Sequence, residues 1–219
     1  MKQASILETI GARLLRTYGP QHWWPAKTAT EVVIGAILTQ NTAWTNVERA
    51  ISNLQRVNAL SWQKLDEMPE PALAELIRPS GTFRVKARRI KAFVSVLVER
   101  FDGSLAAMLS GDLTIARAGL LEINGIGPET ADAILLYAGH RPVFVVDAYT
   151  RRILRRHGLI EDAARYAEIQ SLFHEALPAD VPLFNEYHAL LVHLGKRHCR
   201  AQALCTDCPL ADLPHDESR

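Results

Sequence analysis

The sequence predicts an all-α protein, and three observations carry that prediction. Apolar residues recur at helical spacing along most of the chain, short Gly, Pro, Ser or Asp breaks separate the periodic segments, and a single run reads as a strand. Val47, Ala50, Ile51 and Leu54 follow the i, i+3, i+4, i+7 pattern, as do Ala131, Ile134, Leu135 and Ala138. Helices are expected near 4–17, 29–39, 43–56, 70–79, 84–101, 104–109, 113–122, 129–138, 147–157, 164–176 and 183–196. The strand-like run, Val143–Val146 after Pro142, has no second run to pair with, so an extended buried connector is expected there.

With 219 residues the chain is long enough for a sizeable core. No apolar run approaches the length of a bilayer span. The opening MKQASILETI lacks the basic-then-apolar layout of a secretory signal, so a cytoplasmic protein is expected. Net charge is only +1, which by itself favours no acidic partner. The distribution says more. Arg84, Lys86, Arg88, Arg89 and Lys91 fall in an acid-free stretch, Arg151, Arg152, Arg155 and Arg156 form a second block, and Lys196, Arg197 and Arg200 a third. Such blocks can follow a phosphate backbone or simply face solvent. The three cysteines, Cys199, Cys205 and Cys208, are odd in number and clustered, which argues against a disulfide framework and for metal or cluster ligation.

The most informative stretch runs from Leu121 to Asp132, LEINGIGPETAD. One helix runs into Gly125-Ile126-Gly127 and another begins near Pro128. The glycines permit a tight turn and close backbone approach, and Pro128 suits a first helical turn. Ile126 is expected to point inward and pin the hairpin, while the free N–H groups that follow suit a phosphate. About twenty residues on, Asp147 opens a helix carrying Tyr149, Arg151 and Arg152, a position suited to an N-cap.

Three of the four tryptophans lie in two short segments, His22-Trp23-Trp24-Pro25 and Gln40-Asn41-Thr42-Ala43-Trp44. Core packing accounts for most tryptophans, but indole faces also stack on planar rings and attract cations.

Taken in order, LTQNT, GTFRVKA, the Gly-Ile-Gly hairpin, VVDAYTRR and the terminal cysteines resemble the helix-hairpin-helix (HhH-GPD) DNA glycosylase superfamily of base excision repair. Endonuclease III is a well-known member. Trp-Trp-Pro with Leu-Thr-Gln-Asn-Thr-x-aromatic resembles its 3-methyladenine DNA glycosylase III branch. The resemblance implies two helical lobes, one of residues 26–138 and one joining 1–25 to 139–219. It implies that Asp147 is the catalytic carboxylate, and that Trp24 and Trp44 stack on the base with Trp23 and Pro25 beside them. Gln40 would enter the gap left by the flipped nucleotide, Lys196 would lie near the pocket, and Gly125, Ile126, Gly127 and Thr130 would belong to the DNA-binding hairpin.

Bifunctional relatives carry a Schiff-base lysine two residues after the second hairpin glycine. Here Glu129 stands there, which a Schiff base cannot use, so a monofunctional enzyme employing water is expected. Glu129 then shapes the pocket or faces solvent. The implied activity is hydrolysis of the N-glycosidic bond of alkylated purines, 3-methyladenine foremost. The alternatives are an endonuclease III-type glycosylase/lyase or mismatch glycosylase for pyrimidines, and a DNA-binding module without catalysis. The implied partner is double-stranded DNA with a damaged base, bound by a monomer with no membrane partner. Relatives close with four cysteines on a 4Fe–4S cluster. This chain has Cys199-x5-Cys205-x2-Cys208 and no fourth cysteine near Pro214, which leaves a cluster completed by His215 or a non-protein ligand, a Cys3His zinc, and an empty loop as readings.

Overall fold

The structure, a computed structural model, describes residues 3–216, in which twelve α-helices account for nearly all regular structure. The fold is all-α. No helix among these residues is long and apolar enough to cross a membrane. The chain divides into two compact units, one of Met1–Pro25 with Pro142–Arg219 and one of Ala26–Arg141.

The second unit is built around α2 (Ala29–Leu38), whose residues from Glu31 to Leu38 are all buried. Thr28 caps it, accepting from the Glu31 N–H at 3.2 Å, and Glu31 accepts in return from the Lys27 N–H at 2.7 Å. Around α2 pack α3 (Trp44–Arg56), α6 (Phe83–Phe101) and α9 (Pro128–Ala133). The short α4 (Trp62–Glu67) and α5 (Glu70–Leu76) lie against α6, and α7 (Leu105–Met108) and α8 (Leu113–Leu121) lead into the hairpin. Helix α4 is absent from the sequence-based set, although Ser61 caps it and Leu65 is its one buried residue. A single apolar anchor gives no periodicity to read. The helix expected over 129–138 is regular only to Ala133, after which Ile134–Ala138 widens into a π turn closed by Gly139 N–H on Ile134 O at 3.0 Å.

In the first unit α12 (Val181–Arg197) packs against both α1 (Gln3–Tyr18) and α10 (Ala148–Arg156), and α11 (Tyr166–Ala176) packs on α1. Tyr187 on α12 donates its hydroxyl to Leu7 O at 2.6 Å. Gly195 lets α10 approach α12, because any Cβ there would overlap the Tyr149 ring. The run Val143–Val146 is an unpaired extended connector, with all four residues at most 3% exposed. Its backbone groups find side chains instead of a ladder: His174 accepts from Phe144 N–H at 2.9 Å, Gln170 donates to Phe144 O at 2.6 Å, and the Tyr166 hydroxyl meets Val146 N–H at 3.2 Å.

The hairpin is held by a buried ion pair. Asp132 on α9 is fully buried and takes both prongs of Arg117 on α8, at 2.6 and 3.0 Å. Arg117→Ala would take the two-pronged guanidinium from that buried carboxylate and is expected to cost about 3 kcal/mol, measured by urea unfolding, with Arg117→Lys intermediate because it keeps charge but loses the fork.

Candidate active site

Asp147 ends the buried connector and caps α10, its Oδ1 accepting from Thr150 N–H at 2.7 Å. Its Oδ2 lies 3.6 Å from Nε2 of His188, a buried residue of α12. Burial pushes the Asp147 carboxyl up, yet the neighbouring His188 imidazole and the bond from the Thr150 N–H outweigh it and hold the group below the usual carboxylate range. The side chain is thus an anion in a place that disfavours anions. A carboxylate of this kind can stabilise positive charge developing on a sugar and can orient or deprotonate a water.

The same unit holds Trp23, Trp24, Pro25 and Lys196. The Trp23 and Trp24 rings meet at 5.4 Å with planes tilted by 60°, both half-buried, and Pro25 is exposed. Lys196 is exposed, with its Nζ 5.5 Å from the centre of the Trp23 ring, a cation–π contact. The tryptophan segment hangs from α12: Glu186 accepts from Gln21 N–H at 2.7 Å, and His193 pairs with the Gln21 side chain at 2.7 Å.

In the other unit Gln40 and the hairpin form one network. Gln40 Nε2 donates to Gly125 O at 3.1 Å and to Thr130 Oγ1 at 2.9 Å, and Arg89 donates to Gln40 Oε1. Ile126 is buried, as its place between the glycines predicts. Gly125 has φ +89°, and a Cβ there would collide with the Arg89 side chain, so two constraints require glycine. Gly127 precedes Pro128 as the N-cap of α9, Thr130 is buried, and Glu129 is exposed. Trp44, at the start of α3, is half-buried and donates to Glu48 at 2.9 Å.

The basic blocks prove largely structural. Lys86 is fully buried, its ammonium donating to Leu38 O at 2.7 Å, Ser80 O at 2.6 Å and Thr42 Oγ1 at 2.5 Å. It ties the end of α2 and the Gln40–Thr42 turn to the Ser80 turn. Lys91 donates to the carbonyls of Leu65, Asp66 and Met68 at the C-terminal end of α4. In the second block Arg151 donates to Ala164 O, Arg152 to Cys199 O at 2.6 Å, and buried Arg156 to Cys199 Sγ at 3.2 Å, Arg200 O at 2.7 Å and Ala201 O at 2.8 Å. Arg84 and Arg88 remain exposed.

His188 and Lys86 escape sequence-based assignment, though a signal exists for each. Lys86 shares a helical face with Ile90, Phe93 and Leu97, and His188 shares one with Phe184, Leu191 and Gly195. A charge on an apolar stripe must find buried partners.

Cys199, Cys205 and Cys208 line one cavity with Arg156, His157 and His215. Burial pushes the Cys208 thiol up, and the neighbouring Cys199 adds to that. His215 Nδ1 is engaged by Leu213 O at 2.8 Å. Among the described residues no three His, Cys, Asp or Glu side chains converge closely enough to hold a metal ion. The soft thiols and the guanidinium beside Cys199 suit a thiolate-bound centre chemically, with three thiols where the resembled loop has four.

Residues 34–179 match the HhH-GPD superfamily of base excision DNA repair proteins. The chain belongs to that superfamily. It is a DNA glycosylase. A Methanocaldococcus jannaschii protein provisionally named a DNA repair glycosylase is 50% identical over 201 residues, 91% of each chain. Endonuclease III of Thermotoga maritima is 30% identical over 178 residues, 81% of this chain and 78% of its own. Among solved structures, H. pylori 3-methyladenine DNA glycosylase bound to 1,N6-ethenoadenine superposes with a TM-score of 0.74 at 28% identity, covering 90% of this glycosylase and 98% of that chain.

Burial and the nearby Arg89 lower Lys86 from 10.5 to about 8. Between those values the unfolded chain holds a proton that the folded glycosylase gives up, so this group makes stability rise with pH across that window. Lys86→Met removes the donor to Leu38 O and Thr42 Oγ1 and one of the two donors to Ser80 O, and is expected to cost on the order of 3 kcal/mol. In thermal melts the gap between wild type and Lys86→Met should widen from pH 8 to pH 10.

Proposed function

We propose that this glycosylase is monofunctional and hydrolyses the N-glycosidic bond of alkylated purines, 3-methyladenine foremost, in double-stranded DNA after flipping the base. The observation that carries the reading is the Asp147 carboxylate, kept anionic at the start of α10 despite burial. A charged alkylpurine is already a good leaving group and needs little acid assistance. One anion to stabilise the oxocarbenium-like sugar and to orient water is then sufficient chemistry. Glu129 at the position of the relatives' lysine supports water over a Schiff base as the nucleophile.

In this reading Trp24 and Trp44 supply stacking faces for the flipped base, with Trp23, Pro25 and Lys196 supporting the first. Gln40 fills the vacated stack, and Gly125, Ile126, Gly127 and Thr130 form the hairpin that meets the DNA backbone. The likeness to the H. pylori enzyme over nearly its whole length favours alkylated purines over pyrimidine lesions. Cys199, Cys205 and Cys208, completed by His215 or by a non-protein ligand, are the residues that would hold a 4Fe–4S or zinc centre. Such a centre would supply structural rigidity to a basic loop and no chemistry at the glycosidic bond.

The test is base release from methylated duplex DNA by wild type and Asp147→Asn, separating 3-methyladenine from 7-methylguanine. Wild type is expected to free 3-methyladenine and leave the strand intact until alkali is added, with Asp147→Asn slower by at least 100-fold and still binding DNA. Absence of release would overturn the alkylpurine reading, and a borohydride-trapped protein–DNA adduct would restore the lyase.

A further inference from the structure

His188 is a buried ionisable side chain whose only role so far is its contact with Asp147. The two oxygens of Asp147 are held differently. Oδ1 takes the Thr150 N–H at 2.7 Å, as any N-cap aspartate would, while Oδ2 faces His188 Nε2 at 3.6 Å. An N-cap needs only the first contact. The His188 side chain is 6% exposed and that of Asp147 is 13% exposed, so the pair is shielded from bulk water. The Phe144 ring stands edge-on to the imidazole, with centroids 6.4 Å apart and planes at 83°. Among the described residues, the His188 imidazole from α12 and the Thr150 N–H of α10 are the groups that act on this carboxylate.

We propose that His188 is a positioning residue of the glycosylase reaction, holding Oδ2 of Asp147 in register while the start of α10 holds Oδ1. The inference rests on Asp147 being the catalytic carboxylate. Capping alone holds one oxygen and offsets only part of the cost of burial. A histidine from a different helix supplies the contact to the other oxygen. The imidazole touches neither base nor sugar in this role and acts only through the aspartate. The residue is also well placed to do so, because α12 carries the contacts that hold the Trp23–Trp24 segment. One helix therefore sets the carboxylate and the indoles together.

The experiment is single-turnover release of 3-methyladenine from methylated duplex DNA between pH 5 and 8, for wild type, Asp147→Asn, His188→Leu and His188→Gln. His188→Leu is expected to slow release about 30-fold at pH 7, on the scale seen when a supporting contact to a functional ligand is lost. It should move the acid limb of the profile to higher pH and leave affinity for an abasic-analogue duplex within about twofold. His188→Gln, which keeps an N–H donor and nearly the same shape, should recover part of the rate. The substrate-free counterpart is the 13Cγ resonance of Asp147 titrated by NMR, whose midpoint should rise in both variants. A wild-type rate, acid limb and midpoint in His188→Gln and His188→Leu, with Asp147→Asn inactive, would overturn the proposal. Full activity of Asp147→Asn would instead overturn the assignment of Asp147. Should His188→Leu not fold, the profile and midpoint of His188→Gln decide.

Discussion

The contact on which the first unit depends is the one between the Asp147 carboxylate and the first turn of α10. A backbone N–H at 2.7 Å gives the anion a partner that costs no side-chain entropy and points from the positive end of a helix. The connector before it serves the same end. Val143–Val146 is buried as a strand would be but has no strand beside it, so Gln170, His174 and Tyr166 satisfy its backbone from the side. An apolar run packed in this way is stiff, and it delivers the carboxylate to a fixed place. Flexibility there would blur the only anion that the proposed chemistry needs.

The second unit solves a related difficulty with opposite charges. The Lys86 ammonium and the Asp132 carboxylate are both buried, and each is matched to its neighbours: three acceptors for the ammonium and a two-pronged guanidinium for the carboxylate. Both sit beneath the parts that would meet DNA. Lys86 fixes the turn that carries Gln40, and the Arg117–Asp132 pair fixes the two helices of the hairpin. Gln40 then links those parts directly through Gly125 O and Thr130. Rigid support beneath a recognition surface is what allows a protein to spend its binding energy on deforming the nucleic acid instead of on ordering itself.

Much of this is legible in the sequence, and what is not fails for identifiable reasons. The all-α class, the buried connector, the N-cap at Asp147 and the inward Ile126 follow from periodicity and turn chemistry, which are local. Helix α4 goes unread because it has one buried residue, and the π turn because a widened ring keeps nearly the same apolar spacing. The basic blocks are only half read for a different reason. Composition reports that Lys86, Lys91, Arg152 and Arg156 are cations, and only tertiary contacts reveal that their partners are carbonyls of the chain itself. His188 belongs to the same class, since its partner is 41 positions away in sequence and on another helix.

Arg156 sets the shape of the cysteine loop. Its guanidinium grips the loop at Cys199, Arg200 and Ala201, and its own carbonyl receives the Asp216 N–H at 2.8 Å. Both ends of the segment are therefore moored to α10 by protein atoms. A loop moored in this way can lose a metal ligand without losing its shape. The path of the loop then rests on a guanidinium and on backbone hydrogen bonds, not on a full set of thiolates.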